Sequence, residues 1–229
     1  QQYGTFLKEN KVIIGSSDAR LVEKVGVKIK LAAEKYLNYL GQTEYLKDYS
    51  WEYKLVENKE VNAWCMPGGK IVVYSGILPV TINESGLATV MGHEVSHALA
   101  NHGAQRMSAA KLQELGAVGV TLATAKQGEA KQSKWLEYYG IGSQVGGMLP
   151  FSRSHESEAD KIGLALMAIA GYDVEESVLF WGRMAAKSSG KSQPEFMSTH
   201  PSDATRIANL KALIPEAKAI ALKVGIISN

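Results

Sequence analysis

Apolar residues recur every three or four positions between residues 18 and 40, and this pattern predicts an amphipathic helix. Asp18 stands near the expected N-cap, and Gly41 follows the helix as a stop signal. The apolar stripe comprises Val22, Val25, Ile29, Ala32, Ala33, Tyr36 and Leu40. We expect the helix to pack this stripe against the rest of the domain as a structural element.

The pattern changes between residues 49 and 80, where alternating and β-branched residues predict two or three strands. Pro67, Gly68 and Gly69 supply a turn between two of these strands. Three polar residues at 83–85 then introduce a helix of about twenty residues, LATVMGHEVSHALANHGAQR. The sequence therefore places a small sheet directly before a long helix.

The second half of the chain is mainly helical by the same criteria. Residues 107–150 carry few strong signals and are interpreted as helix pieces and loops. A helix then ends at Gly171, and another begins from Asp173 as its N-cap. A loop over residues 189–202 leads to a last short helix, DATRIANLKALI.

Composition narrows the possible classes of protein. A chain of 229 residues can bury one sizeable core or at most two small ones. The 25 basic and 23 acidic residues give a net charge of +2, which provides no reason to expect a nucleic-acid partner. Cys65 is the only cysteine, so the chain has no internal disulfide.

Targeting signals are weak. No apolar run reaches the length that a membrane span needs, and the nearest candidate, residues 115–125, is too short and too rich in glycine. The sequence begins without methionine, so we expect the native N-terminus to be missing. A removed export signal or lipid anchor therefore remains open.

The stretch HEVSHALANH, residues 93–102, carries the strongest chemical signal. His93 and His97 lie about 40° apart around a helix, so both rings can reach one ion. Glu94 lies about 60° from His97, beside the ligands, where a carboxylate can deprotonate a metal-activated water. The alternative is an ordinary pair of helix histidines, but the apolar residues of this helix place the pair beside a core and favour the metal.

His102 does not fit as the third ligand. On a straight helix it lies about 180° from His93, and the residues at 100 and 103 do not match the metzincin spacing. We expect a structural or capping role for it.

The remaining candidates for a third ligand lie downstream: His155, Glu156, Glu158, Asp160 and His200. Glu156 and Asp160 are one helical turn apart, so Glu156 could bind the ion while Asp160 accepts a ring N–H from a ligand histidine. The alternative is an exposed acidic helix start, which charge pattern alone favours. Spacing leaves this choice open.

Three separated motifs resemble metallopeptidase family forty-eight, in the right order: HEVSH, PFSRSHESEADKIG and THPSDATRI. This gluzincin family includes the HtpX, CAAX-prenyl endopeptidase and BepA-like peptidases, and the likeness covers roughly residues 45–215. It implies an α+β, mainly helical zincin-type domain with a small mixed sheet whose edge strand lines the active-site cleft. We accordingly expect a single domain over residues 1–229, with a helical extension at 1–43 and a catalytic core at 44–215.

The resemblance also implies a role for individual residues. One Zn²⁺ per chain would be bound by His93, His97 and Glu156, with Glu94 as general base. Asp160 and Arg206 would support the ligands, and His200 would stabilise the reaction intermediate or occupy the open coordination position. Asn62 and Ala63 are candidates for substrate-facing backbone, although each could equally be an ordinary strand residue.

These residues lead us to expect a zinc metalloendopeptidase that cleaves unfolded or misassembled polypeptides. One alternative is a latent or chaperone-like zinc protein whose site His200 closes, and a weaker one is a zinc hydrolase of amide or cell-wall substrates. The lack of membrane spans resembles the soluble, exported branch of the family. We therefore expect a bacterial periplasmic or outer-membrane-associated lipoprotein engaged in protein quality control, with possible outer-membrane assembly partners and no nucleic-acid partner.

Overall fold

A computed structural model describes residues 2–188, 194–201 and 204–227. They divide into two compact units, one formed by residues 1–100 and 158–229 and the other by residues 101–157. In chain order the elements are α1 (Gln2–Glu9), β1 (Val12–Ile13), α2 (Ser17–Tyr39), β2 (Glu52–Val56), β3 (Ala63–Met66), β4 (Lys70–Tyr74), α3 (Leu78–Thr81), α4 (Glu84–Leu99), α5 (His102–Thr124), α6 (Glu129–Ser143), α7 (Leu149–Ile169), α8 (Glu176–Ser188), α9 (Glu195–Thr199) and α10 (Ala204–Ile227).

The first unit contains a four-stranded mixed sheet in the order β1-β2-β4-β3. Strands β2 and β4 are parallel, whereas the two outer pairs are antiparallel. The predicted α+β, mainly helical class with a small mixed sheet is confirmed. Strand β1 was not predicted, because two residues are too few to show a period.

Helices α2 and α4 form the centre of the first unit. The predicted stripe on α2 is buried from Val22 to Ala33, whereas Tyr36 is half-buried, Leu40 is exposed and Leu37 is buried instead. The helix begins at Ser17, one residue earlier than expected, and Ser16 caps it by accepting a hydrogen bond from Ala19 N. Helix α4 begins at its cap Asn83 and is buried at every position from Gly86 to Leu99. A helix that is apolar on all sides belongs in a core, so the polar residues it carries are also removed from water.

The expected twenty-residue helix is in fact two helices. Helix α4 ends at Leu99, and Asn101 takes a left-handed conformation with φ of 57° before α5 begins at His102. Asparagine tolerates this conformation better than most residues, so the chain turns here without a glycine.

Two further expectations about helices were incomplete. The region 107–150 contains two long helices, α5 and α6, instead of helix pieces and loops. Helix α10 runs to Ile227, well past the predicted end, with Pro215 inside it. The predicted loop falls partly on residues 189–193 and 202, and the predicted start of the last helix falls on residue 203; these lie outside the described residues. In the part of the chain that the structure describes, no helix has both the length and the apolar character needed to cross a membrane.

The predicted turn between β3 and β4 depends on two adjacent glycines. Gly68 and Gly69 have φ values of 88° and 87°, and Gly69 N donates to Met66 O at 3.1 Å. A Cβ on Gly69 would lie 2.8 Å from Trp51 Cδ2, whereas a Cβ on Gly68 would meet no atom within 4 Å. Both positions thus require a positive φ, but only Gly69 lacks room for a side chain.

We expect Gly69→Ala to lower the free energy of unfolding by about 2 kcal/mol, because backbone strain and the contact with Trp51 add. Gly68→Ala is the matched control and should cost about 1 kcal/mol from strain alone. Urea denaturation of both variants measures the difference. Equal losses would contradict a role for Trp51 in fixing this turn.

Candidate metal centre

Helix α4 places His93, Glu94 and His97 in the buried interior of the first unit. The Nε2 atoms of the two histidines are 3.1 Å apart, as their spacing of four residues predicts. Two nitrogens bound to one tetrahedral zinc, at about 2.0–2.1 Å each, lie about 3.3 Å apart. The histidine pair therefore has the spacing of a zinc ligand pair.

His200 joins this pair from the end of the short helix α9. Its Nδ1 lies 3.1 Å from His93 Nε2, and its Nε2 lies 3.3 Å from Glu94 Oε1. The backbone fixes its position, because His200 N donates to Phe196 O and Phe196 N donates to Val61 O. The latter bond ties α9 to the residues just before β3.

Glu156 supplies a carboxylate to the same group. It is buried on α7, one turn before Asp160 on an unbroken helix. One ligand atom from each of His93, His97, Glu156 and His200 lies within 4.8 Å of the others. Imidazole and carboxylate donors in this number match what zinc accepts in proteins, so the residues present fit a metal ion.

Asp160 and Arg206 set the orientation of His93. Asp160 Oδ1 lies 3.0 Å from His93 Nδ1, and Arg206 donates to both Asp160 oxygens at 2.7 Å. Burial opposes ionisation of Asp160, but Arg206 and the His93 hydrogen bond outweigh it and hold the pKa of the carboxyl below its ordinary value. An ionised Asp160 accepts a hydrogen bond from His93 Nδ1–H, which leaves the lone pair of His93 on Nε2, toward the other candidate ligands.

Trp181 supports this arrangement and was not foreseen from the sequence. The Arg206 guanidinium lies 3.5 Å from the centre of the Trp181 ring, and the same indole makes an edge contact with His93. An arginine held between an aromatic face and a carboxylate has little freedom to rotate. The only sequence signal for Trp181 is that a large aromatic residue stands in the helix after Asp173.

Two glycines bring Asp160 close to His93. A Cβ on Gly92 would lie 3.2 Å from Gly163 O, and one on Gly163 would lie 3.1 Å from His93 N. Helices α4 and α7 can therefore approach closely at the level of the ligand. In the sequence, the signal for this close approach is Gly163, since glycine is unfavourable inside a helix unless space requires it.

His102 is buried within the second unit. Its ring stacks on that of His155 at 4.0 Å, and His155 Nε2 contacts Gln105 Oε1 at 3.1 Å. The structural role expected for His102 agrees with this pairing. The argument from a straight helix was wrong, because the helix breaks at Asn101.

The predicted substrate-facing residues stand at the start of β3. Tyr74 N donates to Asn62 O, so this carbonyl faces the sheet, and Asn62 Oδ1 accepts from Ala63 N. Peptide groups of an antiparallel edge strand face the neighbour and the open side in alternation. The peptide groups of Ala63 and Cys65 therefore face the open side of β3, and substrate contact by Asn62 and Ala63 stays a prediction.

A buried HExxH helix with this set of donors defines a zincin-type metallopeptidase fold. The chain belongs to Peptidase family M48, whose family model matches residues 33–214. The family expected from the three motifs is thus confirmed, and the predicted metalloendopeptidase class is confirmed at the level of the family.

Curated relatives agree with this assignment. The chain is 34% identical to mitochondrial metalloendopeptidase OMA1 of Saccharomyces cerevisiae over 87% of its length and 56% of the relative's. It is 33% identical to human metalloendopeptidase OMA1, mitochondrial, over 76% of the chain and 34% of the relative. The Escherichia coli beta-barrel assembly-enhancing protease is 31% identical over 77% of the chain and 38% of the relative. The chain thus spans between about a third and a little over half of these relatives.

The expected location was wrong. We expected a bacterial periplasmic or outer-membrane-associated lipoprotein, but the relatives with the higher identities are eukaryotic proteins named as mitochondrial. The error has a simple cause. The motifs that carry the family resemblance belong to the candidate metal site, and a site of this kind carries no targeting information.

We expect Asp160→Asn to weaken zinc binding about 10- to 100-fold, because the neutral amide no longer balances Arg206 or holds the His93 tautomer. A competition titration against a chromophoric chelator measures the affinity. Asp48→Asn changes an exposed aspartate and is the matched control. Zinc binding of equal strength in both variants would contradict the role given to Asp160.

Proposed function

We propose that the chain is a zinc-dependent endopeptidase that uses Glu94 as its general base. The observation that carries this proposal is the buried HExxH helix, in which the Nε2 atoms of His93 and His97 lie 3.1 Å apart with Glu94 beside them. Glu156 completes the proposed ligand set, since it belongs to the same group of donor atoms. Family membership supports the reaction class.

Each polar residue then has a distinct task. Zinc, when bound, would polarise the scissile carbonyl and lower the pKa of the attacking water. The Glu94 carboxylate takes the proton of that water and returns it to the leaving amine. Burial of Glu94 strengthens this proton transfer, because few solvent molecules compete for its oxygens.

His200 is positioned to act on the developing negative charge. Its Nε2 lies 3.3 Å from Glu94 Oε1, next to the residue proposed as general base. An imidazole N–H at this place stabilises an oxyanion by a charge-assisted hydrogen bond. We therefore propose that His200 stabilises the reaction intermediate in the active form of the protein.

The edge strand β3 supports a polypeptide substrate. Helix α4 packs against β3, and the pKa of the partly buried Cys65 thiol is raised, first by desolvation and then by the nearby Glu94 carboxylate. Within the described residues no strand covers the outer side of β3. An extended peptide can add there through its main chain with little demand on side chains, which suits unfolded or misassembled proteins in quality control.

We expect Glu94→Gln to keep zinc bound and to lower the rate of casein cleavage by about 10²- to 10⁴-fold, because only the proton acceptor is lost. Zinc content is measured by elemental analysis, and cleavage is measured on unfolded casein. The exposed Glu44→Gln variant is the matched control.

Two results would refute the assignment. One is casein cleavage at the wild-type rate by a zinc-loaded Glu94→Gln variant. The other is wild-type cleavage that survives removal of the metal by phenanthroline.

A second candidate is a latent or chaperone-like zinc protein, and the position of His200 favours it. His200 Nδ1 is as close to His93 Nε2 as His97 is, so His200 could serve as a fourth ligand. Four protein ligands leave no coordination position for water, which is the arrangement of a structural zinc site. Proteolysis would then require His200 to move away.

His200→Ala separates the two candidates. If His200 stabilises the oxyanion, casein cleavage should fall by about 10²-fold or more. A rise in cleavage, with zinc content unchanged, would instead identify His200 as a ligand that closes the site. The measurement uses the same casein assay and zinc analysis.

A further inference from the structure

The second unit exposes an unusual share of the chain's large apolar side chains. Residues 101–157, about a quarter of the chain, hold ten of the eighteen exposed large hydrophobic residues among those described. The ten are Met107, Leu112, Leu115, Val118, Leu122, Trp135, Tyr138, Ile141, Val145 and Leu149. Exposed apolar groups in this density mark a surface that something else covers.

The contact between α5 and α6 contains partly buried hydrogen bonds, next to the half-buried Val120 and Leu136. Gln113 Nε2 donates to Ser143 Oγ at 2.7 Å, and Tyr139 OH donates to Gln113 O at 3.0 Å. Gly116 makes room for Tyr139, because a Cβ there would fall on the phenol oxygen. Within α5 only His102 and Thr124 are buried, and α6 buries no residue.

The two helices of this hairpin are therefore joined in part by hydrogen bonds and small residues, while most of their large apolar side chains face outward. Helices that pair in lipid associate in this way, through small residues and hydrogen bonds, because lipid provides no hydrophobic force between them. If the outer faces only bound a soluble protein, the two helices could still pack through an ordinary apolar contact. The pattern favours lipid as the environment of the outer faces.

The positions of the lysines indicate that the lipid headgroups are anionic. By helical geometry Lys131 and Lys134 lie on the same side of α6 as Trp135, Tyr138 and Ile141. On α5, Lys111 lies on the side that carries Met107, Leu115 and Leu122. Lysines beside exposed aromatic and apolar residues are typical of helices that rest in the interface of an anionic membrane.

We propose that the α5–α6 hairpin docks on an anionic bilayer, with its outer faces in the region between headgroups and acyl chains. Since neither helix is long and apolar enough to cross a membrane, the contact is shallow. Trp135 and Tyr138, whose rings make an edge contact, occupy the headgroup level, and the lysines pair with lipid phosphates. This contact does not depend on proteolysis.

The test is sedimentation of the whole chain with vesicles of phosphatidylcholine alone or mixed with phosphatidylglycerol. We expect binding to the mixed vesicles and little to the neutral ones. Each lysine near an anionic surface contributes roughly fivefold in affinity, so Lys131→Glu with Lys134→Glu should weaken binding roughly 25-fold. Lys35→Glu, an exposed lysine of the first unit, is the matched control and should bind as wild type.

Depth is tested by quenching of tryptophan fluorescence with brominated lipids in the mixed vesicles. We expect quenching that disappears in Trp135→Phe, which preserves an apolar ring, and persists in Trp64→Phe, which changes a strand residue of the first unit. Circular dichroism of each variant checks that the helices remain.

Several results would overturn the proposal. Equal binding to neutral and anionic vesicles, or by the charge-reversal variant and wild type, would remove its electrostatic basis. Quenching that persists in Trp135→Phe would place another surface on the lipid. A lipid-free dimer that dissociates in a Leu115→Ser and Leu122→Ser variant would assign the faces to a second copy of the chain.

Discussion

The bidentate pair between Arg206 and Asp160 is the interaction on which the metal centre depends. It keeps a buried carboxylate ionised, and the ionised carboxylate in turn sets the tautomer of His93. Neither charge is tolerable alone at such depth, so each exists only because the other is present. Trp181 packs against the Arg206 guanidinium, and helices α4 and α7 approach closely beside Asp160. These contacts hold the ion pair in one orientation.

Which candidate ligands share a helix face could be predicted because helical periodicity is a local property. The spacings within His93–His97 and Glu156–Asp160 fix which side chains share a face, whatever surrounds them. Trp181 and Gly163 could not be assigned in the same way, since their roles come from partners far along the chain. The helix break at Asn101 was missed for another reason. The residues around it are compatible with a continuing helix, and the helix ends only because Asn101 adopts a left-handed conformation.

The two units place their polar groups by opposite rules. In the first unit an apolar core encloses a cluster of histidines and carboxylates, and each of these has partners that compensate its burial. In the second unit glutamine, serine and tyrosine meet between helices while leucine, valine and tryptophan face outward. Amphipathic patterns are normally interpreted with the apolar face inward, and for this reason the sequence indicated only weak helix pieces here.

The hydrogen bond from Phe196 N to Val61 O connects the start of β3 to the helix that carries His200. It joins two backbone groups, so it is indifferent to the side chains at either position, with proline at 196 as the exception. Substitution can therefore reshape the surface along β3 without loosening His200 from it. The proposed peptide-binding edge and the candidate metal site can therefore diverge in chemistry while this backbone bond keeps them connected.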